Sequence, residues 1–167
     1  MVNLKDRLRQ GLEHSRGFAD KVFSEIGAEE NWVKRPTEGA NHALWIAGHL
    51  GYATNAFISF VDSSKAIKRS EFGALFGKGS QPKDSLSEYP TPGEIHEFWA
   101  ERSMAFINLL GECSDEDLNR KVPQGPAFMH DVAAVFQMAV WHEALHAGQL
   151  TVIHRMLGET PIADRKN

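Results

Sequence analysis

Cysteine is almost missing from this chain of 167 residues, where Cys113 stands alone. One cysteine forms no internal disulfide, which points to a reducing compartment. The acidic run Ser114-Asp115-Glu116-Asp117 follows it at once and would raise its thiol pKa, a poor beginning for a nucleophile. No apolar run reaches membrane-spanning length. The opening Met-Val-Asn-Leu-Lys-Asp-Arg is amphipathic and has neither the apolar core nor the small-residue cleavage site of a secretory signal. These absences lead to the expectation of a cytoplasmic protein with no membrane partner.

Basic charge is also short, with 18 Lys plus Arg against 22 Asp plus Glu and a formal net charge of -4. The densest basic cluster, Lys65 to Arg69, is broken by Ala66 and Ile67 and followed by Glu71. No phosphate-binding stripe forms, which argues against nucleic acid as a partner. Alternating strand patterns longer than a few residues and repeats of solenoid period are lacking too. What remains is an ordinary globular composition, 42% apolar and 24% charged, at a length that suits one domain over residues 1–167.

Helical periodicity fills most of that length. Leu4, Leu8, Leu12, Ser15, Phe18, Ala19, Val22 and Ile26 recur at three- and four-residue intervals up to Gly27, which predicts a first amphipathic helix. A second is expected from about Asn41, after the breakers Pro36 and Gly39, to about Asp62. Ser63 to Pro92 reads as a long crossover connection whose one apolar island is Phe72, Leu75 and Phe76, and such a connection lets helices two and three run parallel. Thr91-Pro92-Gly93-Glu94 is a capping box with proline at the first helical position, opening a third helix that runs to Gly111. A connector leads to the last helix, expected from Phe128 to Leu157 with Gly158 and Pro161 as stops. Four long helices and no strands predict an all-α four-helix bundle.

In the last helix a seven-residue repeat puts Val132, Ala139, His146 and Ile153 in one row and Val135, His142, Gln149 and Met156 in the next. Those rows are taken as the inward seam. Two histidines in an apolar seam need partners, because an unpaired buried polar group costs about 1–3 kcal/mol. At i and i+4 both imidazoles can reach one ion. On the second helix His42, His49 and Ala56 share a row, and mid-helix His49 is the natural third ligand. One interior histidine is ordinarily a hydrogen-bonded core residue; a pair at i,i+4 with a third on another helix argues for a metal. His14, His96, His130 and His154 lack such a pattern and are assigned to the surface or to supporting roles. Trp45 and Tyr52, each about a turn from His49, either line a pocket or pack. Val140, Trp141, Leu145 and Val152 lie beyond the two rows and are read first as deep core, second as a dimer interface.

His142-Glu143-Ala144-Leu145-His146 also matches the H-E-x-x-H string of zinc proteases. The metzincin extension asks for glycine and histidine where this chain has Gln149 and Val152, and no strand is available as a peptide-binding edge. A peptidase is set aside.

Asn41-His42-Ala43-Leu44-Trp45-Ile46-Ala47-Gly48-His49-Leu50 and His142-Glu143-Ala144-Leu145-His146-Ala147-Gly148-Gln149-Leu150 resemble the two signature stretches of the DinB-like (YfiT-like) metalloenzyme superfamily. Their order, and the long connection after the first of them, extend the resemblance over nearly the whole chain. It implies an up-down-down-up four-helix bundle, a three-histidine site for zinc or nickel on His49, His142 and His146, and a homodimer. Characterised relatives include thiol-dependent S-transferases and a mycothiol-dependent isomerase, so fold resemblance implies the metal more firmly than the chemistry.

Three neutral imidazoles leave a coordination position open, as in catalytic sites. The leading expectation is a thiol S-transferase that joins a low-molecular-weight thiol to a small electrophilic substrate. The alternatives are a metal-dependent hydrolase using a metal-bound water, with Glu143 as candidate base, and a non-catalytic metal-binding helical dimer. For Glu143 an exposed or salt-bridged helix position is an equal alternative. No role is assigned to His42.

Overall fold

The structure is a computed structural model that describes residues 3–165. It is all-α. The described residues form six α-helices: α1 (Leu4–Ser24), α2 (Ala43–Val61), α3 (Ser70–Phe76), α4 (Pro92–Glu112), α5 (Asp115–Asn119) and α6 (Val132–Met156). Among the described residues there is no strand, only an isolated bridge between Lys121 and Asp131. No helix among them is long and apolar enough to cross a membrane.

The four long helices pack together, α2 on α4 and α6, and α1 on α6 and α4. α1 buries Leu8, Leu12, Ser15, Ala19 and Val22, the face its periodicity marks. It ends at Ser24, two residues short of the expected Ile26, because Gly27 takes a left-handed φ of 76° that residues with a Cβ avoid. At the ends of the α1–α4 pair, Lys5 donates to the carbonyls of Gly111 and Cys113, while Asp20 accepts from His96. Along the α2–α6 pair, Asn41 meets Gln149 and Phe57 meets His142.

Helix starts follow their caps. Thr91 and Glu94 form the expected reciprocal box at α4. α6 begins at Val132, not Phe128, because the Asp131 side chain accepts the Ala134 amide and Phe128 is left exposed ahead of it. His42 caps α2, its Nδ1 accepting the Trp45 amide at 3.1 Å and its Nε2–H donating to the Lys83 carbonyl at 2.9 Å. Burial holds this ring neutral, with its pKa lowered to about 4.

Two short helices depart from the expected four. The apolar island of the crossover folds as α3, with Phe72 and Phe76 buried. Phe72 meets Phe98 of α4 edge to face at 4.8 Å, so burial against α2 and α4 stabilises a segment too short to be helical alone. In the connector, Ser114 and Asp117 build a second capping box for α5, and Leu118 anchors it.

The inward face of α6 also differs. Val132, Ala139, His146 and Ile153 are buried as expected, but so are Phe136, Glu143, Ala147, Leu150 and His154, and Met156 of the second row is 40% exposed. Trp141, Leu145 and Val152 are not deep core, being 57%, 47% and 54% exposed. Because α6 contacts both α1 and α2, its buried arc is wider than one seam and turned toward the Phe136-Glu143-Leu150 row.

Candidate metal centre

α2 carries His49 at mid-length between two glycines that let neighbours come close. A Cβ on Gly48 would lie 2.4 Å from ring carbons of Phe76, and one on Gly51 would lie 2.7 Å from the Phe98 ring. Phe76 therefore seats directly on α2, and its carbonyl oxygen accepts the Nδ1–H of His49 at 2.7 Å. A carbonyl cannot donate, so the His49 proton is on Nδ1 and the Nε2 lone pair is free. Trp45 stacks on the same ring, centroids 4.6 Å apart and planes 9° from parallel. Its own indole Nε1–H donates to Ser80 Oγ at 3.0 Å, so Trp45 packs and also walls the site.

α6 brings His142 and His146 to the same place. Their ring centroids are 4.7 Å apart, and His49 lies 5.0 Å from the first and 4.8 Å from the second. One nitrogen from each of the three rings falls within 4.8 Å of the others. His49 Nε2 and His142 Nε2 approach to 3.1 Å, close to the spacing of about 3.3 Å between two ligands of a tetrahedral ion with bonds of 2.0–2.1 Å. His146 Nδ1–H donates to Gln149 Oε1 at 3.2 Å, and Asn41 Nδ2–H donates to the same oxygen at 3.1 Å. The site lies between the two apolar clusters, with Trp45 in one and Phe57 in the other.

Burial disfavours imidazolium at all three positions. His142 is held down at about 3 and His146 at about 4, in each case chiefly by burial and then by the neighbouring imidazoles; burial also lowers His49 against the opposing bond to Phe76. Neutral rings at physiological pH are what a cation requires of its ligands. The free Nε2 lone pair of His49 thus points at a second imidazole nitrogen, His142 Nε2, with the third ring beside them and no carboxylate in the group. Two such lone pairs repel unless a proton or a cation lies between them, so the donor set fits a divalent ion.

Glu143 is elsewhere. Its carboxylate, 7% exposed, accepts the indole N–H of Trp99 at 3.1 Å and faces α4, and burial raises its pKa to about 7. It is neither exposed nor salt-bridged. Nor is His154 at the surface: it is buried, bonded to Glu25 at 2.7 Å. Both oxygens of Glu25 also accept from Arg165, which with His154 holds its pKa down to about 2. Glu25, His154 and Glu159 form a second group with metal-ligand atoms close together, but the Arg165 guanidinium already neutralises it. His96 pairs with Asp20, His130 pairs with Asp131 at an exposed position, and His14 is exposed.

Sequence reasoning missed the supports of the site: the Phe76 carbonyl, Ser80, Asn41 and the acceptor role of Gln149. Gln149 and Asn41 stood in the quoted motifs, whereas a backbone carbonyl and a serine in a long connection carry no pattern.

The profile of the DinB superfamily matches residues 12–150, which span α2 to α4 entire and most of α1 and α6. A search of curated proteins gave no match.

The chain belongs to the DinB superfamily.

Proposed function

We propose that this DinB superfamily member is a divalent-metal-dependent thiol S-transferase, with His49, His142 and His146 as metal ligands and zinc or nickel as the ion. The observation that carries the reading is the convergence of three neutral imidazoles from two helices within 4.8 Å. The contact pairs along α1–α4 and α2–α6 support an up-down-down-up bundle, in which α2 and α6 face each other across the site.

When bound, the ion would favour the thiolate of a low-molecular-weight thiol over its protonated form. The chain's own residues do the holding. Phe76 fixes the His49 tautomer through its carbonyl, Trp45 closes one side of the ring against water, and Phe57 stands edge-on to His142 at 5.8 Å. The thiol must be a cosubstrate: Cys113 is buried in the second apolar cluster, its Sγ donates to the Leu109 carbonyl, and burial raises its pKa. The S-transfer forms a carbon–sulfur bond as the electrophile's leaving group departs with the bonding electrons.

Metal analysis of the purified protein, with His142→Ala as control, tests the site; near-stoichiometric zinc or nickel that disappears in the variant supports it. Thiol consumption is then followed over a panel of thiols and electrophiles. No metal-dependent loss of thiol refutes the transferase.

A hydrolase acting through water at the position left open by the three imidazoles is the second reading, but Glu143, bonded to Trp99 on α4, does not face those imidazoles and is not placed to serve as its base. For either activity the exposed apolar row of Trp141, Leu145, Val152 and Met156 supports a homodimer through α6.

A further inference from the structure

An imidazole can ligate through Nε2 only when its proton sits on Nδ1. For His49 the backbone settles the matter, since the Phe76 carbonyl only accepts. His146 instead meets a side-chain amide, and an amide can present either an acceptor oxygen or a donor NH2. With its NH2 turned to the ring, Gln149 would move the proton to Nε2 and take His146 out of the ligand set.

Asn41 bears on that choice. Its Nδ2 donates to Gln149 Oε1 at 3.1 Å, on the oxygen that accepts from His146 at 3.2 Å. Two donors on one oxygen hold the amide with its carbonyl toward the ring. Asn41 is itself held, because the next residue, His42, caps α2 and is tied to both Trp45 and Lys83. The relay therefore begins one residue before the N-cap of α2 and ends on α6.

We propose that Gln149 and Asn41 are positioning residues that lock the His146 tautomer, Gln149 by accepting its Nδ1 proton and Asn41 by fixing the Gln149 amide. This rests on the metal reading above. It predicts that position 149 needs an acceptor and not specifically glutamine, so Glu, which only accepts when ionised, preserves the site while Leu does not.

Cobalt(II) is titrated into metal-stripped full-length protein, wild type and variant, with the melting temperature of each stripped protein as control for the fold. In parallel, 15N NMR of the stripped protein reports the His146 tautomer. Gln149→Leu is expected to weaken cobalt binding about 10–100-fold and to shift His146 away from pure Nδ1–H. Gln149→Glu stays within about threefold of wild type and keeps Nδ1–H. Asn41→Ala loses about three- to tenfold, and nothing further in the Gln149→Leu background, because both act through one contact.

Wild-type affinity and an unchanged tautomer in Gln149→Leu overturn the proposal. If that variant does not fold, Asn41→Ala decides, and wild-type affinity with unchanged tautomer there overturns it equally. If the wild type takes up no cobalt, the metal reading fails by itself, while the tautomer of the metal-free variants still decides the relay.

Discussion

The tetrapeptides Ala47-Gly48-His49-Leu50 and Ala147-Gly148-Gln149-Leu150 begin alike, with glycine inside a long helix, yet alanine at the two glycines should act in opposite directions. A Cβ at position 48 would stand 2.4 Å from Phe76 ring carbons, where carbon contacts are normally 3.5–4.0 Å. The ring would have to retreat by about 1 Å. It is fully buried, with Tyr89 on one side at 5.7 Å and Phe72 on another at 5.3 Å. Overpacking of this kind costs about 1–3 kcal/mol. Displacing Phe76 also stretches the bond from its carbonyl to His49, for about 0.5–1.5 kcal/mol, against about 0.5–1 kcal/mol of better helix propensity.

The net expectation for Gly48→Ala is a loss of about 0.5–4 kcal/mol, or roughly 4–9 °C in Tm at the middle of that range for a chain of this size. At Gly148 nothing lies within 4 Å of the added Cβ and the position is exposed. Gly148→Ala should therefore stabilise by about 0.5–1 kcal/mol. Thermal melts and urea titrations of the metal-stripped proteins measure both. Shifts of the same sign and similar size in the two variants would refute the packing of α3 onto α2.

Three further outcomes follow from the same contacts. Glu143 titrates near 4.5 in the unfolded chain and near 7 in the fold, so the folded protein holds this proton more tightly. Its contribution is complete below about pH 4.5, is lost as pH rises toward 7 and is flat above. Across that window the urea stability of wild type relative to Glu143→Gln should fall by about 3 kcal/mol, and a level difference would show that the carboxyl is not buried. His42→Ala removes the α2 cap and the bond to Lys83 and should cost about 1–2 kcal/mol in the same assay, with His42→Asn restoring part of it; an unchanged midpoint would exclude the cap. Trp141→Glu with Leu145→Glu should convert a dimer to monomer in sedimentation at micromolar concentration, leaving the metal content unchanged, and a dimer that persists would place the interface elsewhere.

The long helices were legible because their information is local. Thr91 and Glu94 lie three residues apart, and Leu8, Leu12, Ser15, Ala19 and Val22 trace one stripe, so caps and faces need no knowledge of distant parts. α3 carried the signal too, in Phe72, Leu75 and Phe76 at i, i+3 and i+4, but seven residues cannot hold a helix without the surfaces of α2 and α4. The same dependence hides the Phe76 carbonyl, since every residue has one and only the docking of α3 brings this one to His49.

The error along α6 has a geometric cause that also explains why the histidines were found. A row drawn at every seventh residue drifts by about 20° per heptad on a straight helix. Over the 25 residues of α6 the row through Val135 and His142 turns out of the core and reaches Met156 exposed, while Phe136, Glu143 and Leu150 hold the centre of the buried face. His142 and His146 lie mid-helix, where the accumulated rotation is smallest and where α6 meets α2. His142 stands at the edge of the buried arc and His146 within it, so their rings share the α2 side while Glu143, one position on from His142, is carried round to Trp99 on α4. A row that fails at its end and holds in its middle is thus what a straight helix produces, and it separates the residues that face His49 from the carboxylate that does not.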